Sequence, residues 1–194
     1  MLSYGYRLAD CGPLPSIITP SQFAALTGGR MSSTTEQVQA MLDAVSAAVR
    51  AYCGWHIAPD LECEWTGEAP NGYASLPVMG VEAIEAVTVN GEEIPEGRYE
   101  WSASGELRLC GCICAQRWRS LTVRFIAGYE DASAIGAVVA QIAANAMAAA
   151  PGVREEHAGS VGISYNQTAS GVSGGVALLD RDRMLLDPWR IRRI

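Results

Sequence analysis

The clearest periodic signal in the chain runs from Thr35 to Tyr52, where Val38, Met41, Leu42, Val45, Ala48, Val49 and Tyr52 recur at intervals of three and four. An α-helix turns once in 3.6 residues, so these side chains share one face, and the pattern predicts an amphipathic helix. Ser33, Thr34 or Thr35 is placed to cap its start, Glu36 suits the positive end of the helix dipole, and Gly54 is placed to close it. A shorter helix is predicted over 20–29, started by Pro20 or Ser21 after Thr19 and stopped by Gly28-Gly29. A third is predicted over 132–149, where Ile135, Val138, Val139, Ile142 and Ala146 make one stripe and alanine fills much of the rest.

From about Leu61 to Tyr129 the period falls to two. Short alternating runs, Glu62 to Trp65, Ala86 to Val89 and Leu121 to Phe125, are separated by Gly, Pro and Asn turns, which is strand texture. Asn90-Gly91 between Val87-Thr88-Val89 and Glu92-Glu93-Ile94 is the strongest short hairpin signal. Tyr99 to Ser102 and Leu107 to Cys112, joined through Ser104-Gly105, predict a second hairpin.

After Pro151-Gly152 the texture changes again. Residues 158–175 are rich in Gly, Ser and Ala, carry no acidic or basic side chain, and contain one alternating run, Val161, Ile163 and Tyr165. This is the composition of an arm, and a flexible stretch of about 25 such residues spans roughly 25 to 30 Å. The chain then closes with an amphipathic segment followed by Pro188, Trp189 and several arginines.

These elements predict an α+β fold: a small helical bundle with an inserted antiparallel β subdomain and an extended C-terminal arm. The expected boundaries are an N-terminal extension over 1–19, a bundle from 20–57 and 130–150, a β subdomain over 58–129, and an arm with a docking segment over 151–194. No internal repeat stands out.

With 49% apolar and 18% charged residues, the 194-residue chain has the composition of a packed globular protein. The first residues lack the basic and apolar regions of a signal peptide, and no run of about 18 apolar residues is present to span a bilayer. Synthesis in the cytoplasm and no membrane partner are the expectation. The net charge of −7 disfavours a general phosphate-binding surface. All 14 basic residues are arginine, which excludes chemistry that needs a lysine amine, and two histidines leave little for proton transfer.

Candidate chemistry is sparse. Cys110, Cys112 and Cys114 share one strand face, yet their spacing differs from the common C-x-x-C zinc or redox motif, so reduced thiols serving as small core hydrophobes are expected. Cys63 and His56 complete such a site only by an accident of folding, and His56 is assigned to the turn after the long helix. Ser160, His157 and a neighbouring carboxylate lack the G-x-S-x-G elbow of a hydrolase, so His157 is read as solvated. Glu92-Glu93 and Asp180-x-Asp182 do not match an EF-hand and are read as loop charge. Trp65, Trp101 and Trp118 are assigned to core or sheet-face positions, because a nucleic-acid stacking platform needs more basic interleaving than Arg117 and Arg119 supply. No catalytic residue, metal or cofactor is expected. The sequence points away from an enzyme.

The C-terminal segment is different, because apolar residues return after a polar arm. Either the segment folds back over its own core, or it docks on a partner. Trp and Arg are the residue types enriched at binding hot spots, which favours docking.

Four motifs in order carry a resemblance: TEQVQAMLDAVSAAVRAYCGW over 35–55, TVRFIAGYED over 122–131, REEHAGSVGISYN over 154–166 and LLDRDRMLLDPWRIRRI over 178–194. Across nearly its whole length the chain resembles the tailed-bacteriophage head-to-tail connector (adaptor) proteins. Two positions depart: a proline expected soon after Gly128-Tyr129 is missing, and Trp189 stands where tyrosine is more usual. The resemblance implies a structural virion protein, made in the bacterial host and located at the head-tail junction. It implies a homo-oligomeric ring, a dodecamer on the virion, that binds the portal protein on one side and the next neck or tail protein on the other. Leu185, Leu186, Trp189, Arg190, Ile191, Arg192, Arg193 and Ile194 are the implied portal contact. Excess negative charge facing the channel would let DNA pass without specific binding. A tail-completion or head-closure subunit of the same neck is the competing reading.

Overall fold

The computed structural model describes residues 5–8, 12–29, 34–111, 113, 115–130, 132–148 and 178–191, and the backbone of Glu155–Ala158 and Val161–Ser164. In chain order its elements are β1 (Tyr6–Leu8), α1 (Pro20–Thr27), α2 (Thr35–Cys53), β2 (Leu61–Gly67), β3 (Tyr73–Ser75), β4 (Val81–Val89), β5 (Glu92–Ile94), β6 (Tyr99–Trp101), β7 (Glu106–Leu109), β8 (Leu121–Ala127), α3 (Ser133–Ala148), β9 (Glu155–Ala158), β10 (Val161–Ser164) and α4 (Asp180–Leu186). The fold is α+β, as the periodicities predict. The chain divides into two compact units, one of residues 1–14, 53–131 and 189–194, the other of residues 15–52 and 132–188.

The first unit is built on an antiparallel five-stranded sheet in the order β1-β2-β8-β4-β5. β8 lies at its centre, and Leu121, Val123, Phe125 and Ala127 alternate into the core. β4 pairs with β8 through two register shifts, near Val81/Ala83 and Ile84/Ala86, which bend a nine-residue strand against a seven-residue one. The predicted Asn90-Gly91 turn joins β4 to β5, and both residues adopt positive φ as a two-residue hairpin of this type requires. The second predicted hairpin is β6–β7, and β3 joins it in a separate three-stranded sheet, β3-β7-β6. Sequence reasoning missed β1. Three residues of the assumed N-terminal extension pair with Cys63, Glu64 and Trp65 as an edge strand.

The second unit holds α1 to α4. Thr19 caps α1 in a reciprocal box with Gln22, and Gly28 ends the helix in the left-handed conformation. Thr34 does the same for α2 with Gln37. The α2 stripe faces inward, with Val38, Leu42, Val45 and Val49 buried, and so does the α3 stripe at Ile135, Val139, Ile142 and Ala146. Gly136 is required for close packing: a Cβ there would lie 2.8 Å from Ile18. In the predicted arm, β9 and β10 pair as a backbone hairpin from Val161↔Ala158 to Ser164↔Glu155. The alternating run at 161–163 therefore marks a strand. Tyr165 and residues 166–177 lie outside the described residues.

Candidate docking surface at the C-terminal segment

The amphipathic segment after the arm is helix α4. The carboxylate of Asp182 accepts the backbone N–H of Leu179 at 3.1 Å, covering one of the donors a helix start leaves unpaired. Asp182 is thereby buried, with Arg181 Nε 3.4 Å from its other oxygen, so the expectation of a solvated loop carboxylate is corrected at this position. Asp180 stays exposed and lies 3.5 Å from Arg183. Leu186 is wholly enclosed by its own chain, whereas Met184 and Leu185 are exposed, at 73% and 51%. The segment thus has an anchored side and a free apolar side. At its end the Tyr52 hydroxyl donates to the Asp187 carboxylate at 2.6 Å.

Trp189 to Ile191 pack in the sheet-containing unit. The Trp55 indole N–H donates to the Trp189 carbonyl at 2.7 Å, and the Ile191 N–H donates to the Cys53 carbonyl at 3.0 Å. Cys53 ends α2, so Ile191 satisfies a carbonyl left without an intrahelical partner. The Trp189 ring meets Tyr129 edge-on at 5.3 Å between centroids, and Tyr129 meets Trp55 in the same way at 5.7 Å. Edge-to-face pairs of this kind are favoured by the ring quadrupole and contribute about 0.5–1.5 kcal/mol each beyond burial. Of the residues grouped as a portal contact, Leu185 and Arg190 are exposed, Trp189 and Ile191 are half-buried, and Leu186 is buried. A partner reaches Leu186 only if α4 leaves its seat. Arg192, Arg193 and Ile194 lie outside the described residues.

The sheet-containing unit also holds a buried polar chain. The Tyr6 hydroxyl lies 2.6 Å from His56 Nδ1, and His56 Nε2 lies 2.8 Å from the Ala127 carbonyl. The carbonyl can only accept, so the arrangement selects the tautomer with its proton on Nε2 and makes Tyr6 the donor to Nδ1. Burial, then the neighbouring Cys63, raises the Tyr6 pKa well above the ordinary phenol value. His56 does belong to the turn after α2, but as a wholly buried member of the core.

The other candidates do not converge. Cys53 and Cys63 are buried free thiols and Cys110 is half-buried, while Cys112 and Cys114 lie outside the described residues. Ser160 also lies outside them, and His157 is described only as backbone in β9. Glu92 and Glu93 are exposed on β5. Among the described residues no group of three or more His, Cys, Asp or Glu is placed to hold a metal ion, and no helix is long and apolar enough to cross a membrane. Trp65 on β2 and Trp101 on β6 take strand positions, whereas Trp118 requires a correction. Trp65 is half-buried, Trp101 exposed, and Trp118 is 87% exposed, because it sits in the turn before β8 rather than on a strand face. The arginines on either side of Trp118 are the sequence signal for that exposure.

No known protein family matches the chain, and no curated protein matches it in sequence. Solved structures do. A chain from the neck of an empty gene transfer agent particle, computed with C6 symmetry, superposes with a TM-score of 0.59 at 14% identity, covering 97% of this chain and 96% of the other. A chain from the neck of the native particle, computed with C12 symmetry, gives 0.53 at 13% identity over 97% of both. A chain from the native virion gives 0.53 at 12% identity, over 97% of this chain and 96% of the other. At such identities the likeness is one of fold. It extends nearly end to end.

Proposed function

We propose that the chain is a structural subunit of the neck of a tailed phage or phage-like particle, with no chemical step. Copies assemble into a twelve-membered ring that joins the portal to the tail or the next connector and leaves a channel for DNA. The observation that carries this reading is the end-to-end likeness of fold to neck chains of gene transfer agent particles, whose structures were computed with six- and twelve-fold symmetry.

In this reading the C-terminal segment is the portal contact, used in its folded form. Leu186, Trp189 and Ile191 fix the segment to its own chain, and the exposed Leu185 and Arg190 meet the portal, continued by Arg192, Arg193 and Ile194. A surface held in place before binding loses less entropy on docking than a free tail does. Facing the lumen, part of the charge of −7 per copy repels DNA phosphates, so the ring conducts DNA without gripping it.

Binding of purified chain to portal rings tests the reading. Removal of residues 178–194 abolishes it, and the paired substitution Leu185→Asp and Arg190→Glu, which leaves the buried anchors in place, weakens it at least about tenfold. Undiminished binding by both variants rejects the portal role of the segment. Tight, salt-sensitive binding of the assembled ring to duplex DNA rejects the non-gripping channel.

A further inference from the structure

We propose that the Trp118 turn of one copy of this chain seats in the groove beside the β4–β5 hairpin of a second copy, in a head-to-tail contact that repeats around the assembly. The proposal rests on the neck-ring reading and names the contact that would build the ring.

Trp118 is the most exposed of the large apolar side chains described, and its neighbours Arg117 and Arg119 are exposed as well. An indole between two guanidiniums is the composition of a binding hot spot rather than of a solvated turn. The turn is held firmly. Arg119 takes the left-handed conformation at φ +61°, and the Ser120 hydroxyl donates to the Arg117 carbonyl at 2.7 Å. The Ser120 carbonyl in turn accepts the Asn90 N–H at 2.7 Å, and Leu121 is wholly buried. A knob fixed in this way loses little freedom on docking. Beside it Trp65, Thr66, Gly67 and Glu68 complete a slot of about 400 Å³.

The receptor has the opposite character. A groove of about 380 Å³, large enough for one indole, is walled by Val89, Ile94, Pro95 and Ile113, with the exposed carboxylates of Glu92 and Glu93 on its lining. Arg98 is the cation on that lining. Glu96 follows Pro95 in the next turn, and Glu96 and Glu93 act together on Tyr99, raising its pKa after the larger effect of burial. Negative potential is therefore concentrated where an incoming Arg117 and Arg119 would arrive. Charge complementarity commits the groove to a second copy. An anionic partner such as nucleic acid would be repelled from it.

The two patches are different sets of residues at one end of the sheet, linked by the Asn90–Ser120 bond. The knob lies before β8, beside the end of β2, and the groove lies at β5, the edge strand. In a head-to-tail contact each copy gives its knob to one neighbour and receives a knob from another, so the contact is not a two-fold one. It propagates, closing into a ring when the rotation per copy allows.

Sedimentation velocity on the full chain tests this. Wild type assembles, whereas Trp118→Ala, with an unchanged circular dichroism spectrum, shifts assembly to at least about tenfold higher concentration. The double reversals Arg117→Glu/Arg119→Glu and Glu92→Arg/Glu93→Arg each abolish assembly alone. Mixed one to one they restore it, since every knob then finds a groove of opposite sign. Assembly unchanged in Trp118→Ala and in both reversals overturns this contact and leaves the ring reading standing. Failure of the mixture to recover also overturns the contact. A wild-type chain that stays monomeric up to its solubility limit overturns both.

Discussion

The indole N–H of Trp55 donates to the backbone carbonyl of Trp189 at 2.7 Å, across 134 residues of chain. Trp55 follows α2 and Gly54, Trp189 follows α4, and their bond lies within the sheet-containing unit. Replacing Trp55 by Phe keeps a buried ring and removes the donor, leaving a carbonyl without its partner. The expected loss is about 1–3 kcal/mol in stability, together with faster hydrogen exchange at the Ile191 amide. Exchange at Ile191 equal to wild type would show that the bond does not hold the segment.

Alkaline stability reports on Tyr6. An unfolded tyrosine gives up its proton near pH 10, while the buried phenol of Tyr6 keeps it. Above pH 10 the unfolded state therefore binds fewer protons than the folded one, and stability falls as pH rises. The stabilisation is fully present below pH 10, and its loss is at most about 1.4 kcal/mol per pH unit. Tyr6→Phe is expected to be less stable at neutral pH by about 1 kcal/mol, through loss of the bond to His56, yet to show a shallower decline above pH 10. Urea titrations at pH 8, 10 and 11 make the comparison. Parallel declines in the two proteins would contradict it.

Gly128 marks a close approach of backbone. Its φ is +132°, and a Cβ there would collide with the Pro59 carbonyl oxygen and lie 2.7 Å from the Asp60 Cα. Gly128→Ala is expected to cost more than about 1 kcal/mol, read as a lower midpoint of thermal unfolding. Gly29→Ala is the control: φ is also positive, at +66°, but nothing stands within 4 Å, so its cost should be the smaller.

On the proposed reading Leu185 serves docking and Leu186 anchoring. Leu186→Ala empties a fully enclosed site and is expected to lose about 2–5 kcal/mol of stability. Leu185→Ala, at 51% exposure, is expected to leave stability within about 0.5 kcal/mol and to weaken portal binding instead. Equal stability losses in the two variants would refute the assignment of sides.

What periodicity encodes was legible. The stripes of α2 and α3, the Thr-Pro start and Gly-Gly stop of α1, and the Asn-Gly hairpin each arise from local geometry that a short window of sequence contains. β1 was not legible, because three residues, Tyr6 to Leu8, carry too little pattern and gain their strand from pairing with β2 far along the chain. The exposure of Trp118 was misjudged for a related reason: a residue beside a strand takes its environment from the turn, and turn geometry at Arg119 depends on a left-handed backbone that arginine seldom adopts. In the C-terminal segment the fold-back alternative holds at Leu186 and not at Leu185. Leu186 is covered by its own chain while Leu185 faces outward, a division that hydrophobicity alone does not reveal.

The sheet order β1-β2-β8-β4-β5 carries a consequence for biosynthesis. β8 is made after β2 and β4, yet it is the strand that both need as a neighbour. Until residues 121–127 emerge, two long strands present unsatisfied edges to the crowded interior of the cell, where such edges invite mispairing between nascent chains. The chain therefore passes through its most vulnerable state before β8 is made, and is relieved of it once residues 121–127 pair on both sides.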